Sequence, residues 1–497
     1  MASYAAITSG PSEHGGSRPA STSSRSGRSS RHSKQNGAGG SASWLSSVIN
    51  LVNTIVGAGV LAMPHALSNM GITLGTMVIL WAGLTSGFGL YLQTRCARYL
   101  DRGGSSFFAL SQITYPGAAV IFDAAITLKC FGVGVSYLII IGDLMPGVVR
   151  GFAGNVDDKL YLVDRKFWVT AFMLVVIPLS FLRKLDSLKY TSMVALVSIS
   201  YLVVLVVYHF IANDAGHEKG PVNWVKWHGI GSTLSSFPVI VFAYTCHQNM
   251  FSILNEIQDA SPRRTTTVVT ASIGTAAAIY VLVAITGYLT FGDNVIGNII
   301  AQYVPNVAST IGRAAIVVLV MFSYPLQVHP CRASLDAVLK WRPVNRSNQE
   351  FTPVASSRGS PSRHSLLSGK VPVGRPAPTE MGEVRFAILT TFIIIMSYIV
   401  AMTVSSLDKV LAYVGSTGST AISFILPGLF YYKISAPESP HHQRLLKDEE
   451  DEEGGMSHGR QVKSELLRKC SLALAIYGLC VMIVCLMMNS INIAHGR

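Results

Sequence analysis

The sequence predicts an all-α polytopic membrane protein with eleven transmembrane helices. Three observations carry that expectation. Charged residues make up 13% of the 497, against roughly 25% in an ordinary globular protein. The mean hydropathy is +0.41. Eleven mostly apolar stretches fall near the length of about 17 to 25 residues that crosses a bilayer as a helix. They run over 44–67, 73–94, 118–149, 167–182, 190–211, 229–254, 265–291, 309–331, 386–407, 410–432 and 470–490. The fourth is the shortest, and the third is long enough to extend out of the bilayer.

The basic residues sort sharply once the N-terminus is placed in the cytoplasm. Of 39 Lys and Arg, 29 then fall inside, and Lys129 is the one placed well within a span. Positive charge accumulates on the cytoplasmic side of membrane proteins, so the expectation is N-terminus in and, with an odd number of spans, C-terminus out. The net charge of +13 is mostly this topology. It is not read as nucleic-acid binding, because the tails lack the mix of basic patch and aromatics.

Residues 1–43 are a Ser/Gly/Arg-rich segment with too little apolar content to build a core, and are expected to be a disordered cytoplasmic tail. The segments 343–380 and 433–466 are expected to be disordered cytoplasmic loops within a membrane domain spanning 44–490, and 491–497 a short lumenal or extracellular tail. Arg-rich serine clusters such as Arg25 to Ser30 are possible phosphorylation sites; the plainer reading of all three segments is solvated linker. About forty polar residues precede the first span, so no secretory signal is expected. The seven cysteines form no CxxC pair and imply neither a disulfide framework nor a zinc site. No nucleotide fingerprint, metal cluster or nucleophile motif stands out, so no enzyme and no cofactor are expected.

The first span is interrupted by Gly57-Ala58-Gly59 next to Asn53-Thr54. A break leaves backbone polar groups that lipid cannot satisfy, so it persists only where it lines a protein-buried or watered cavity. An unwound Gly57-Ala58-Gly59 offers the N–H groups and positive dipole end of the second half-helix to a carboxylate, while carbonyls ending the first half suit a cation or an ammonium. Together these fit a zwitterion. The competing reading is that the small residues only allow close helix packing.

The sixth span repeats the pattern, with Pro238 and then the run Tyr244-Thr245-Cys246-His247-Gln248-Asn249 following Phe242-Ala243. Such a run is costly against lipid and is expected to face a cavity. Spans one and six open successive groups of five, and interrupted spans in matching positions point to a binding site between two repeats. His247 is a proton-responsive candidate or else a neutral histidine bonded to the broken backbone. Lys129 is either a coupling group or a lysine that reaches the interface along an overlong helix. Ser323-Tyr324-Pro325 and His329-Pro330 in the eighth span free carbonyls that can bind an ion or merely kink the helix.

The stretch from Ser47 through Asn53, Gly57, Ala58 and Gly59 to Pro64 closely resembles the first span of the amino acid/auxin permease family, especially its fungal vacuolar amino acid transporters. The resemblance continues through Leu188-Lys189-Tyr190-Thr191-Ser192 and Phe242 to His247, and covers essentially the whole membrane part. It implies a LeuT-like fold, a five-plus-five inverted repeat with one extra helix, working by alternating access. It also implies an amino acid bound between the broken first and sixth helices. The substrate residues are then Asn53, Thr54, Gly57, Ala58, Gly59, Phe242, Ala243, Tyr244, Thr245 and Cys246. In sodium-coupled relatives an Asn of the first span and a Thr of the eighth serve the cation; Asn53 and Ser323 match them here, with the hydroxyl kept. The ion-coupling candidates are Asn53, Ser323, His247 and Lys129.

The resulting expectation is a secondary active amino acid transporter of a vacuolar or related membrane, coupled to protons and carrying amino acids from vacuole to cytosol. Its partners are an amino acid, a proton or sodium ion, and membrane lipid. Two alternatives stay open: an amino acid sensor that signals through its cytoplasmic arms, and sodium-coupled uptake at the plasma membrane.

Overall fold

A computed structural model describes residues 40, 42–100, 103–153, 161–182, 188–213, 219–225, 227, 229–340, 381–445 and 458–495, without the side chains of 188–192, 458–463 and 493. Expectations made for residues 1–39, for 343–380 and for 446–457 lie outside these. Gly39–Arg497 is one compact unit. Its helices are α1 (Trp44–Ile55), α2 (Gly59–Ser68), α3 (Ile72–Ala97), α4 (Phe107–Thr114), α5 (Ala119–Ala153), α6 (Arg165–Ser180), α7 (Leu188–Ala212) and α8 (Ile230–Ala243). There follow α9 (His247–Glu256), α10 (Pro262–Phe291), α11 (Ile299–Gln302), α12 (Val307–Lys340), α13 (Glu383–Thr403), α14 (Leu407–Val414), α15 (Leu426–Ile434) and α16 (His458–Ala494).

Every one of the eleven apolar stretches is helical, but they differ as spans. Among the described residues eight helices are long and apolar enough to cross a membrane, and nine if the bent pair α1–α2 counts as one. The stretch 167–182 becomes α6, only 16 residues long. The stretch 229–254 divides into α8 and α9, of 14 and 10 residues. Length and composition therefore support eight or nine crossings, and the count of eleven stays an expectation.

Burial sorts the helices into centre and rim. The most apolar window of α5 is 72% buried, and that of the continuous segment holding α14 and α15 is 78%; the windows of α3, α10, α13 and α16 lie between 33% and 39%. The first two are enclosed by protein, and the others turn a large apolar face outward, as lipid-facing helices do. Between α14 and α15 the helix widens to π-type turns over Gly415–Ser419 and Ala421–Ile425. There a Cβ on Gly415 would lie 1.9 Å from the Pro238 carbonyl oxygen, so only glycine lets this segment press against α8.

Two devices hold the broken helices. Ser43 caps α1 by accepting from the Ser46 N–H at 3.2 Å. Just before it, Ala42 pairs with the chain leaving α9, its N–H donating to Glu256 and its carbonyl accepting from Gln258 at 3.0 Å. The entry to α1 is thereby tied to the exit from α9. Arg313 of α12 is buried and donates to the carbonyls of Ile300, Ala301 and Tyr303, closing the free end of α11.

Candidate functional site

The two breaks meet at the centre of the unit. α1 and α2 are bent by 57° across residues 56–58, and α8 and α9 part over Tyr244, Thr245 and Cys246. Between them lies a cavity of about 520 Å³, within the range of about 300–1,000 Å³ usual for small-molecule sites. Its walls include Asn53, Thr54, Gly57, Ala58 and Gly59 of the first break, Phe242, Ala243 and Thr245 of the second, and also Lys129 and Ser323. Tyr244, Cys246 and His247 are not part of the wall.

The polar run of the sixth span is thus divided. Once α9 begins at His247, helical periodicity puts residues three and four apart on one face. Thr245, Gln248 and Asn249 line the cavity, whereas Tyr244 and His247 turn into protein. His247 is enclosed, with Nε2 3.1 Å from the Ser86 carbonyl oxygen and Nδ1 3.1 Å from Ser423 Oγ. A carbonyl only accepts, so Nε2 carries the proton and Nδ1 accepts from the serine. This is the neutral, bonded histidine rather than one facing the cavity. Tyr244 packs edge-on to Tyr280, ring centres 5.0 Å apart.

Gly57 and Gly59 differ in kind. A Cβ on Gly59 would sit 2.6 Å from Ala243 Cβ and 2.8 Å from its Cα, while one on Gly57 would meet nothing within 4 Å. Close packing explains Gly59. Gly57 instead leaves cavity space empty. The N–H groups of Gly57, Ala58 and Gly59 make no hydrogen bond among the described residues, whereas those of Val60 and Leu61 bond back to Gly57 and Ala58 at 3.2 Å. Free N–H groups at the start of α2 add to the positive end of its dipole. They form an anion-receptive edge on the cavity wall.

Two buried acceptors belong to residues of the same cavity lining. Asn53 Oδ1 and Gln248 Oε1 have no hydrogen-bond partner among the described residues, and an unmet buried polar atom costs about 1–3 kcal/mol. Both oxygens are closed off from the cavity space, so an ammonium group relieves them only once the side chains turn toward it. Of the carbonyls ending the first half-helices, expected to be free, those of Ile55 and Ala243 are engaged. Tyr280 of α10 is fully buried, and its hydroxyl lies 2.7 Å from the Ile55 carbonyl oxygen and 2.8 Å from that of Ala243. One side chain ties the two broken helices together at their ends.

Lys129 is 4% exposed, lines the cavity, and makes no ion pair or hydrogen bond among the described residues. Its burial beside the cavity is the setting of a coupling group rather than of a lysine extended along the outside of its helix. Asp143, on the same helix, pairs instead with Arg165 at 3.2 Å. Ser323 Oγ donates to the Leu319 carbonyl at 2.7 Å, and Ser323 lines the same cavity as Asn53. Sequence reasoning missed Asn50, Tyr137 and Gln327, which also line the cavity, as do Gln248 and Asn249 of the run expected to face one and His329 of the eighth-span pair. A tally of polar side chains within apolar spans points to them, but not to which face they occupy.

Residues 40–449 match the family model described as transmembrane amino acid transporter protein. The chain is 40% identical over 461 residues to Vacuolar amino acid transporter 6 of Saccharomyces cerevisiae, covering 90% of this chain and 98% of that protein. It is 41% identical over 461 residues to Vacuolar amino acid transporter 5 of Schizosaccharomyces pombe, covering 91% and 96%. Among solved structures it resembles MhsT in complex with L-phenylalanine, at a TM-score of 0.55 and 12% identity, covering 91% of this chain and 99% of the other. That likeness is of fold alone, and the fold is the LeuT type.

Proposed function

Given that the chain belongs to the transmembrane amino acid transporter family, we propose that it moves amino acids across a vacuolar or related membrane by proton-coupled alternating access, from vacuole to cytosol. One observation carries the reading. The cavity between the two breaks is lined by three residues with free backbone N–H groups and by Asn53 and Gln248, whose side-chain oxygens are buried without a partner among the described residues. These match the carboxylate and ammonium ends of an amino acid. Filling both removes the cost of leaving buried polar groups unpaired, which apolar solutes cannot do.

The extent of the cavity supports this direction and topology. Its lining runs along α1 to Asn50, along the early part of α7 at Ala195 and Ile199, and along α12 to His329 and Pro330. With the N-terminus in the cytoplasm these are the cytoplasmic parts of their helices. The conformation is then one that faces the cytosol, the side on which this reading has the substrate released. The C-terminus lies on the lumenal side.

Proton coupling rests on Lys129 in this reading. It is a titratable group on the cavity wall with nothing to pair with, and an unpaired charge in a membrane span costs about 2.5–3.5 kcal/mol on insertion scales. Carrying the proton only in part of the cycle avoids that cost for the rest. Lys129→Gln is expected to abolish accumulation driven by a pH gradient while amino acid exchange without a gradient persists. Retained gradient-driven accumulation in that variant would remove Lys129 from the coupling scheme.

The direct test is labelled amino acid flux in vesicles holding the purified protein, with an imposed pH gradient and with sodium present or absent. Saturable flux that follows the pH gradient and ignores sodium is the expected result. Sodium dependence would favour the second reading, for which Asn53 and Ser323 on one wall are the supporting observation. Absence of flux, with binding retained, would favour a sensor.

A further inference from the structure

The chain between α7 and α8 carries an apolar set that is turned outward although it belongs to a loop. Trp224, Val225 and Trp227, with Ile230 at the start of α8, are 61%, 79%, 48% and 64% exposed. Four large apolar side chains gathered within so short a stretch mark a surface that meets lipid or another protein. The indole N–H of Trp227 donates to Thr233 Oγ1 at 2.7 Å, and that of Trp224 makes no hydrogen bond among the described residues.

The backbone under this set is fixed to the bundle on two sides. Toward the end of α10, the Gly220 N–H donates to the Phe291 carbonyl at 2.9 Å and the Asp293 N–H to that of Pro221 at 3.0 Å. Asn223 adds two bonds there, from Nδ2 to Asp293 Oδ2 at 2.7 Å and from its backbone N–H to Tyr288 Oη at 2.8 Å. Toward the start of α3, the N–H groups of Ile72 and Thr73 donate to the carbonyls of Asn223 and Trp224 at 3.1 and 3.0 Å. The polar groups of the loop are thus taken up by the bundle, and what remains exposed is apolar.

Continuity with the lipid-facing helices says what covers it. From the loop, α3 runs on with Met77, Leu80, Trp81 and Leu84 all exposed, and it is long and apolar enough to cross a membrane. Met77 follows Thr73 by one turn, about 6 Å along the axis at 1.5 Å per residue. The headgroup layer is about 5–8 Å thick on each side of the hydrocarbon, which puts the loop at its level. The end of α16 flanks it, with Met487 and Ile491 exposed and Met488 against Gly231. We propose that Trp224, Val225, Trp227 and Ile230 form a phospholipid-contact surface, lying where headgroups meet acyl chains in the leaflet beside the start of α3. Indole suits that boundary, its ring toward the chains and its N–H toward headgroup oxygens. Because the loop leads into α8, the contact sets the depth at which the broken sixth helix begins.

Fluorescence quenching by brominated lipid tests the placement, using the full chain at one copy per nanodisc. Three bilayers are compared: plain phosphatidylcholine, the same lipid brominated near the glycerol end of its chains, and the same lipid brominated near the methyl end. The emission that disappears in the Trp224→Phe/Trp227→Phe variant is that of the pair, so the other tryptophans subtract out. Should the double variant melt below wild type, the single variants Trp224→Phe and Trp227→Phe give the same subtraction one ring at a time. The pair's emission is expected to fall at least twofold with the shallow bromines and by less with the deep ones. Emission indifferent to both bromine positions would put the loop in water or beneath a protein surface and overturn the proposal. Stronger quenching by the deep bromines would overturn it as well, by sinking the loop into the hydrocarbon.

Discussion

Gly57→Val is expected to abolish amino acid flux in reconstituted vesicles with folding intact, whereas the smaller change Gly59→Ala is expected to lower the yield and melting temperature of the protein. The two glycines lie two residues apart, yet their surroundings decide opposite outcomes. A Cβ at position 57 enters open cavity, and one at position 59 meets the Cβ and Cα of Ala243 below 3 Å. Overpacking of that kind costs about 1–3 kcal/mol, and the neighbour here includes backbone, which cannot swing aside. At position 57 the penalty falls on the substrate, because valine fills the space beside the free N–H groups that receive a carboxylate. Flux within twofold of wild type in Gly57→Val would remove the first break from the substrate site. A Gly59→Ala protein as stable as wild type would show that α2 and α8 can part freely.

The second large effect is expected at Tyr280, which no motif singles out. Tyr280→Phe keeps the ring and its edge-on contact with Tyr244 but removes the hydroxyl shared by the Ile55 and Ala243 carbonyls. An orphaned buried acceptor costs about 1–3 kcal/mol, although hydrogen bonds within membrane helices average nearer 0.6 kcal/mol. The larger consequence is geometric. With the link gone, the ends of α1 and α8 no longer hold a fixed spacing, and the cavity they shape loses its form. A melting temperature lowered by a few degrees and flux reduced about tenfold are the expected readings. Unchanged flux would make the tyrosine a filler of space, with its hydroxyl incidental.

These two predictions mark where sequence reasoning reached and where it stopped. The break at Gly57-Ala58-Gly59 was legible because glycine beside polar residues inside an apolar run has few physical explanations. Packing and binding were alternatives for the tripeptide as a whole, and the structure assigns packing to Gly59 and leaves open space at Gly57. The sixth-span run was legible as polar but not as divided. Tyr244 and His247 were grouped with Thr245 because adjacency in sequence conceals the helix that begins at His247 and sends its faces apart. His247 finds its partners at Ser86 and Ser423, far along the chain in both directions. Lys129 was recognised as a charge within a span, but its place on the cavity wall follows from the packing of α5 at the centre of the bundle.

The sequence by itself determined the class of the protein, the positions of its helices and the two interruptions. Those depend on local chemistry: apolar length against bilayer thickness, and the cost of unpaired backbone in lipid. Only the tertiary structure decided which polar atoms remain without partners, because each answer depends on groups from distant parts of the chain. Tyr280 closes the Ile55 carbonyl from 225 residues away, while Asn53 Oδ1 finds no partner among the described residues. A hydrogen bond made or left unmade across such a separation carries no mark in the local sequence, and the candidate site is built from the ones left unmade.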